Sequence, residues 1–125
     1  MNNKYILSII FFFFSLCAFS QNYNITFQVD MSDVDPASFT TPEVNGSFNS
    51  WCGNCAAMSD ADGDNVWDIT INLAAGSYEF KYSTDNWSIE ESLLPGSWCT
   101  ASAFGFTNRT LIVSGDSTLS VVCWE

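Results

Sequence analysis

Three stretches of this chain alternate strictly between apolar and polar residues, and this alternation constrains the fold more than any other feature. Residues 23–31, 67–73 and 78–82 place an apolar side chain at every second position. A period of two puts all apolar side chains on one face of an extended strand, whereas a helix needs a period of 3.6. No stretch sustains the helical period, so the sequence predicts half-buried strands.

Turn-forming residues separate these strands and predict how they connect. Residues 43–48 form a further short strand, and 67–73 is predicted to pair with 78–82 as a hairpin around Gly76. Residues 109–113 and 117–122 are predicted to form a last pair around Gly115. Short strands at close spacing with turns between them favour an all-β sandwich.

The N-terminus has the pattern of a secretory signal peptide. Lys4 precedes an apolar run at 5–14, and small residues at 18 and 20 precede Gln21. We therefore predict a signal peptide at 1–20, cleavage after Ser20, a secreted or cell-surface location, and one domain at 21–125. Lipidation of Cys17 is the weaker alternative. The sequence stops at residues 121–125, which have the pattern of a strand end. We therefore expect that the domain belongs to a longer protein with covalently linked domains.

The charge balance narrows the possible partners. The chain has fourteen acidic side chains and a net charge of −11, and loss of Lys4 with the signal peptide makes it −12. Such a surface repels phosphate backbones and anionic lipids, so nucleic acid and membranes are poor partners. It suits neutral ligands and divalent cations.

Four cysteines remain after the signal peptide, and in an exported chain they predict two disulfides. Three connectivities are possible; we favour Cys52–Cys55 and Cys99–Cys123. Zinc is the competing interpretation of the Cys-Gly-Asn-Cys spacing, but the chain has no histidine and no second such pair.

The residues usually needed for catalysis are scarce. Without histidine, a serine or cysteine nucleophile lacks its usual base. Glu90 and Glu91 are adjacent, so on a strand they point to opposite faces and cannot flank one glycosidic bond. We therefore predict that the domain is not an enzyme.

An acidic turn offers a candidate calcium site. Carboxylates recur at alternate positions around Gly63 and can converge on one hard cation. The predicted ligands are Asp60, Asp62, Asp64 and Asp68. The spacing departs from an EF-hand, and a tight turn that uses Asp and Gly for their geometry is the alternative.

Two tryptophans follow polar turns. Trp51 ends the stretch VNGSFNSW, and Trp87 follows Asp85-Asn86. Flat aromatic rings on loops either plug the ends of a sandwich or stack on the apolar C–H faces of sugar rings. The pattern alone leaves both open.

The order VNGSFNSW, then MSDADGDNVWDITINLAAGSYEFKYSTDNW, resembles the glycogen- and starch-binding domains of carbohydrate-binding module family 48. That family includes the β subunit of AMP-activated protein kinase and the N-terminal domains of branching enzymes. The resemblance covers roughly residues 44–113. It implies an immunoglobulin-like, early-set β-sandwich of about seven to eight antiparallel strands that binds α-glucans.

The resemblance also assigns site residues. The family's sugar-contacting positions match Trp51, Lys81, Trp87 and Asn108, and Glu90 is a further candidate for bonding hydroxyls. A Cys-Gly-Asn-Cys insertion after Trp51 departs from the pattern. The first strand and late cysteines resemble secreted modules of Bacteroidetes polysaccharide degraders, which act on several glycans.

We thus expect a secreted, non-catalytic module that binds a neutral glucan, with α-glucan favoured. The alternative is a structural or interaction module of an exported or cell-surface protein, stabilised by disulfides and calcium.

Overall fold

The computed structural model describes residues 21–96 and 100–125. Over these ranges, nine strands form two sheets that pack face to face, which confirms the predicted all-β sandwich. The strands are β1 (Asn22–Asp30), β2 (Pro42–Gly46), β3 (Val66–Ala74), β4 (Gly76–Thr84), β5 (Ile89–Glu90), β6 (Thr100–Ala103), β7 (Phe106–Val113), β8 (Ser117–Thr118) and β9 (Val122–Cys123). The predicted signal peptide lies outside the described residues.

The first sheet is built around β1. This strand pairs antiparallel with β3 along its whole length and parallel with β8 and β9. The second sheet has the order β2–β4–β7–β6, all antiparallel, and β5 pairs with the end of β4. The parallel pairs in the first sheet depart from the purely antiparallel arrangement that we predicted.

Two predicted hairpins are wrong. β3 and β4 are separated by Ala75 alone, yet β3 belongs to the first sheet and β4 to the second. β7 and β8 likewise lie in different sheets. The alternation identifies a strand and its inward face, but a hairpin and a crossing between sheets both satisfy the same pattern. The crossing lets consecutive strands cover the core from opposite sides.

The core lies between the two sheets and is rich in aromatic rings. Phe27 on β1 meets Phe80 on β4 edge to face, with ring centroids 5.1 Å apart. Aliphatic side chains from β1, β2, β3 and β7 fill the remaining space. Because Phe80 and Tyr82 face inward, their neighbours Glu79 and Lys81 face the outside of the second sheet.

A buried ion pair closes one part of this core. The Glu91 carboxylate accepts hydrogen bonds from Arg109 Nη2 at 2.7 Å, from Arg109 Nε at 3.0 Å and from the Tyr82 backbone N–H at 3.0 Å. The guanidinium also lies over the Tyr82 ring, 5.7 Å from its centroid. These contacts fasten the segment after β5 to β4 and β7.

Over the described ranges, helices with the length and hydropathy required to cross a bilayer are absent.

Candidate functional site

One depression on the outer face of the second sheet brings together all five residues predicted to contact sugar. Its volume is about 640 Å³. The lining residues are Trp51, Glu79, Lys81, Trp87, Glu90, Ala103, Phe104, Phe106 and Asn108. They come from β4, β5, β6, β7 and three loops, so the folded sandwich is required to assemble them.

Trp51 is presented by a single 3-10 turn, Ser47–Asn49, that follows β2. The Asn49 amide accepts a hydrogen bond from Gly46 N–H at 2.9 Å and donates one to Val44 C=O at 3.1 Å. Ser50 and Trp51 both have positive φ, 55° and 57°. These values are uncommon for non-glycine residues and must be imposed by the surrounding contacts.

Trp87 lies on an equally constrained loop. Asp85, Asn86 and Trp87 are three consecutive residues with φ between 46° and 66°. The Asp85 carboxylate accepts the backbone N–H groups of Thr40 at 2.8 Å and Thr41 at 3.0 Å. Residues in this region cost energy and persist where several contacts determine them, as in ligand sites.

Buried polar contacts tie the two tryptophan loops together. The Asn45 side chain accepts a hydrogen bond from Gly53 N–H and donates one to Ser83 Oγ, both at 2.7 Å. Trp87 Nε1 donates to the Trp51 carbonyl at 3.3 Å. The two rings lie with centroids 6.4 Å apart and planes inclined by 36°.

Glu43 supports the Trp87 loop from below. Its buried carboxylate accepts the Asn86 N–H at 3.0 Å. Burial raises the pKa of this carboxyl, and nearby Asp85 adds to the rise, whereas the bonds from Asn86 and Ser83 oppose it. The residue that supports the Trp87 loop is therefore a carboxyl group whose ionised form is disfavoured by burial.

Polar groups line the floor of the depression. The Lys81 side chain is largely buried, and its ammonium lies 3.4 Å from Glu90 Oε2. Asn108 Nδ2 donates to Glu79 Oε2 at 2.9 Å. Lys81 carries three N–H donors, and Glu90 has a second carboxylate oxygen, so the Lys81–Glu90 pair can also bond an incoming hydroxyl. The same holds for the Asn108–Glu79 pair, because Glu79 also has a second carboxylate oxygen.

Sequence reasoning missed an aromatic part of the depression's wall, formed by Phe104 and Phe106. Phe104 and Gly105 form the tip between β6 and β7, with φ of 53° and 86°. Phe104 is fully exposed, and Phe106 is 65% exposed. Phe106 and Asn108 lie two residues apart on β7, so their side chains share the outward face of the sheet. This spacing was the sequence signal that could have identified Phe106. Glu79 was also missed, although it alternates with Lys81 on β4.

The acidic turn brings three of the four predicted calcium ligands together. One carboxylate oxygen from each of Asp60, Asp62 and Asp64 lies within 4.8 Å of the others. Asp68 is not in this group; it lies in β3, where its backbone pairs with Ser59. Asp60 already accepts three backbone N–H bonds within the turn, at 2.8, 3.1 and 3.2 Å. The turn is therefore closed by its own contacts, and calcium binding stays a prediction.

The cysteines are placed as follows. Cys52 and Cys55 form a disulfide, as predicted, in the loop that follows Trp51. Cys123 is exposed and has no disulfide partner among the cysteines at 21–96 and 100–125. Its predicted partner, Cys99, lies outside the described residues, so that pairing stays a prediction.

The two adjacent glutamates diverge, as the sequence indicated. Glu90 lines the depression and Glu91 is buried against Arg109. These two carboxylates cannot act on one bond.

No family model matches the chain. It is 33% identical over 110 residues to an α-amylase of Niallia circulans. The match covers 82% of this chain but only 8% of that enzyme, so the chain spans a small part of its relative's length. The membership of carbohydrate-binding module family 48 that the residues suggested stays a prediction.

Proposed function

We propose that this domain is a non-catalytic module that binds a neutral glucan, with α-glucan favoured. The observation that carries the proposal is the convergence of Trp51, Lys81, Trp87, Glu90 and Asn108 around one depression. The α-amylase relative supports a carbohydrate ligand. Because the match spans 8% of that enzyme, it is compatible with a binding part appended to a catalytic one.

The geometry of the rings suits a curved chain. Trp51 and Trp87 are inclined by 36°, so they offer two sugar rings an angled surface and not a flat one. Phe104 and Phe106 line the same depression. Stacking would hold the apolar faces of the rings while Lys81 and the Asn108–Glu79 pair bond hydroxyls.

Glu79 and Glu90 share the depression, but each already has a partner, Asn108 and Lys81. Because both carboxylates are engaged in these contacts, we assign neither of them an acid–base role. Individual contacts of this kind are weak, so affinity from one module should be modest and further domains would raise it by avidity.

Secretion forms part of the proposal. The Cys52–Cys55 disulfide and the predicted signal peptide at 1–20 are both typical of an oxidising, extracellular compartment.

Affinity electrophoresis of residues 21–125 would test the proposal, with gels that contain glycogen, amylopectin, laminarin or no polysaccharide. Wild-type protein should be retarded, and Trp51→Ala and Trp87→Ala should migrate as in the empty gel. Trp124→Ala is the matched control, because Trp124 is also partly buried but lies outside the depression. A folded wild type that is retarded in no gel would contradict the proposal, and reducing-sugar release would contradict its non-catalytic part.

The alternative is a structural or interaction module. The exposed side chains of Phe104, Phe106 and Ile112 on the second sheet would then contact another protein or domain. This alternative predicts no retardation in any of the gels.

A further inference from the structure

A second depression adjoins the first on the same sheet. Its volume is about 490 Å³. The lining residues are Ser47, Trp51, Ser77, Tyr78, Glu79, Thr110, Leu111 and Ile112. Trp51 and Glu79 line both depressions, so these two residues form the boundary between them.

The strand register shows that the two depressions follow one another along β4 and β7. Ser77 lies opposite Ile112, and Glu79 lies opposite Thr110. The outward positions of β7 then continue through Asn108 to Phe106 in the first depression. At about 3.3 Å per residue, the row from Ile112 to Phe106 is roughly 20 Å long. The depressions are therefore consecutive parts of one groove.

The second depression has the composition of a sugar-contacting surface. Ile112 is 77% exposed, so it places aliphatic carbon on the outward face of the sheet. Hydroxyl groups accompany it: Ser77 is exposed, and Ser47 Oγ accepts the Glu79 N–H at 3.2 Å. Apolar carbon beside hydroxyl groups complements both the C–H face and the rim of a sugar ring.

We propose that the second depression is an additional subsite and that the ligand is a longer glucan chain that continues past Trp51 along β4 and β7. The inference rests on the proposed function and deepens it. Rings bound between Trp51, Trp87 and Phe104 would occupy the first depression. The continuing chain would contact Ile112 and Ser77, so affinity should depend on chain length.

Titration calorimetry with malto-oligosaccharides from maltotriose to maltoheptaose would test this. Wild-type affinity should rise with length by about tenfold, equivalent to about 1.4 kcal/mol. Ile112→Glu and the uncharged Ile112→Ser should abolish that rise and leave the affinity for maltotriose unchanged. Val121→Glu is the matched control, because Val121 is also exposed and aliphatic but lines neither depression.

The outcomes separate this inference from the proposed function. If maltotriose and maltoheptaose bind wild type equally, or if Ile112→Glu weakens both to the same extent, the second subsite is refuted while the first stands. If no oligosaccharide binds and no gel retards the protein, the proposed function fails and the second subsite fails with it.

Discussion

Gly53 is the point at which the disulfide loop contacts the Trp87 loop, and a single methyl group added there should separate stability from binding. Gly53 has φ of +83°, and a Cβ atom at this position would lie 2.3 Å from Asn86 Oδ1 and 3.0 Å from Trp87 Cδ1. Both atoms belong to the loop that presents the Trp87 ring. Gly53→Ala therefore requires the Asn86 side chain to rotate away and the Trp87 ring to shift.

Gly63 provides a matched control. Its φ is +76°, but a Cβ atom there would meet nothing within 4 Å. Alanine in the left-handed region costs roughly 1–2 kcal/mol, so both variants should lose about that much free energy of unfolding. Gly53→Ala should lose a further 1–3 kcal/mol, about the cost of overpacking a filled site. The contact with Asn86 Oδ1 must open from 2.3 Å to at least 3.4 Å to become an ordinary one.

Urea denaturation would give the two stabilities, and the polysaccharide gels would give the two affinities. Gly63→Ala should bind as wild type does. Gly53→Ala, compared where both variants are folded, should bind at least about tenfold more weakly, or about 1.4 kcal/mol. Equal binding by the two variants would refute the reasoning, because it would show that Gly53 does not position Trp87.

Three further predictions concern other parts of the molecule. Arg109→Met should cost about 3–5 kcal/mol of unfolding free energy, measured by urea denaturation, because it leaves Glu91 buried without its partner; pairing it with Glu91→Gln should recover part of the loss. Burial raises the pKa of Glu43 above the ordinary 4.5, so the folded protein binds that proton more tightly than the unfolded chain does. As pH rises from 4.5 through the raised pKa, the stability of wild type should therefore fall relative to that of Glu43→Gln. Melting temperatures of the two proteins across that pH range would measure the difference. A constant difference would show that the pKa of Glu43 is not raised. If Asp60 and Asp62 bind calcium, the ion should raise the melting temperature of wild type but not of Asp62→Asn. Equal melting temperatures of wild type with and without calcium would show that the segment is a hydrogen-bonded turn and not a calcium site.

The strands with the strongest alternation could be predicted almost to their ends. The predicted strand at 23–31 is β1, Asn22–Asp30, and the predicted strand at 78–82 lies within β4, Gly76–Thr84. Their partners could not be predicted, because alternation records burial and not pairing. β5 and β6 were missed since two and four residues are too few for a period to show.

The site could be predicted in part. Resemblance supplied Trp51, Lys81, Trp87 and Asn108, and the fold places them together with Glu90. The wall at Phe104 could not be found, because an isolated aromatic before a glycine reads equally well as a turn or as part of the core. Its full exposure is a property of the folded hairpin.

Whether the tryptophans are buried or presented also had no answer in the sequence. Both rings are partly buried, because Trp87 packs against Gly53 and donates to the Trp51 carbonyl. Each ring thus contributes to the loops and to the depression at once. The binding of a variant that lacks either tryptophan should therefore be interpreted together with its measured free energy of unfolding.

The alternation of β7 separates residues that pack in the core from residues that line the groove. Its inward residues, Arg109, Leu111 and Val113, are buried in the core, whereas Phe106 and Ile112 on the other face are exposed. A change at an outward position alters the surface of the groove and removes little buried area. Under the proposed function, single substitutions at these outward positions would change glycan preference and leave the melting temperature nearly constant.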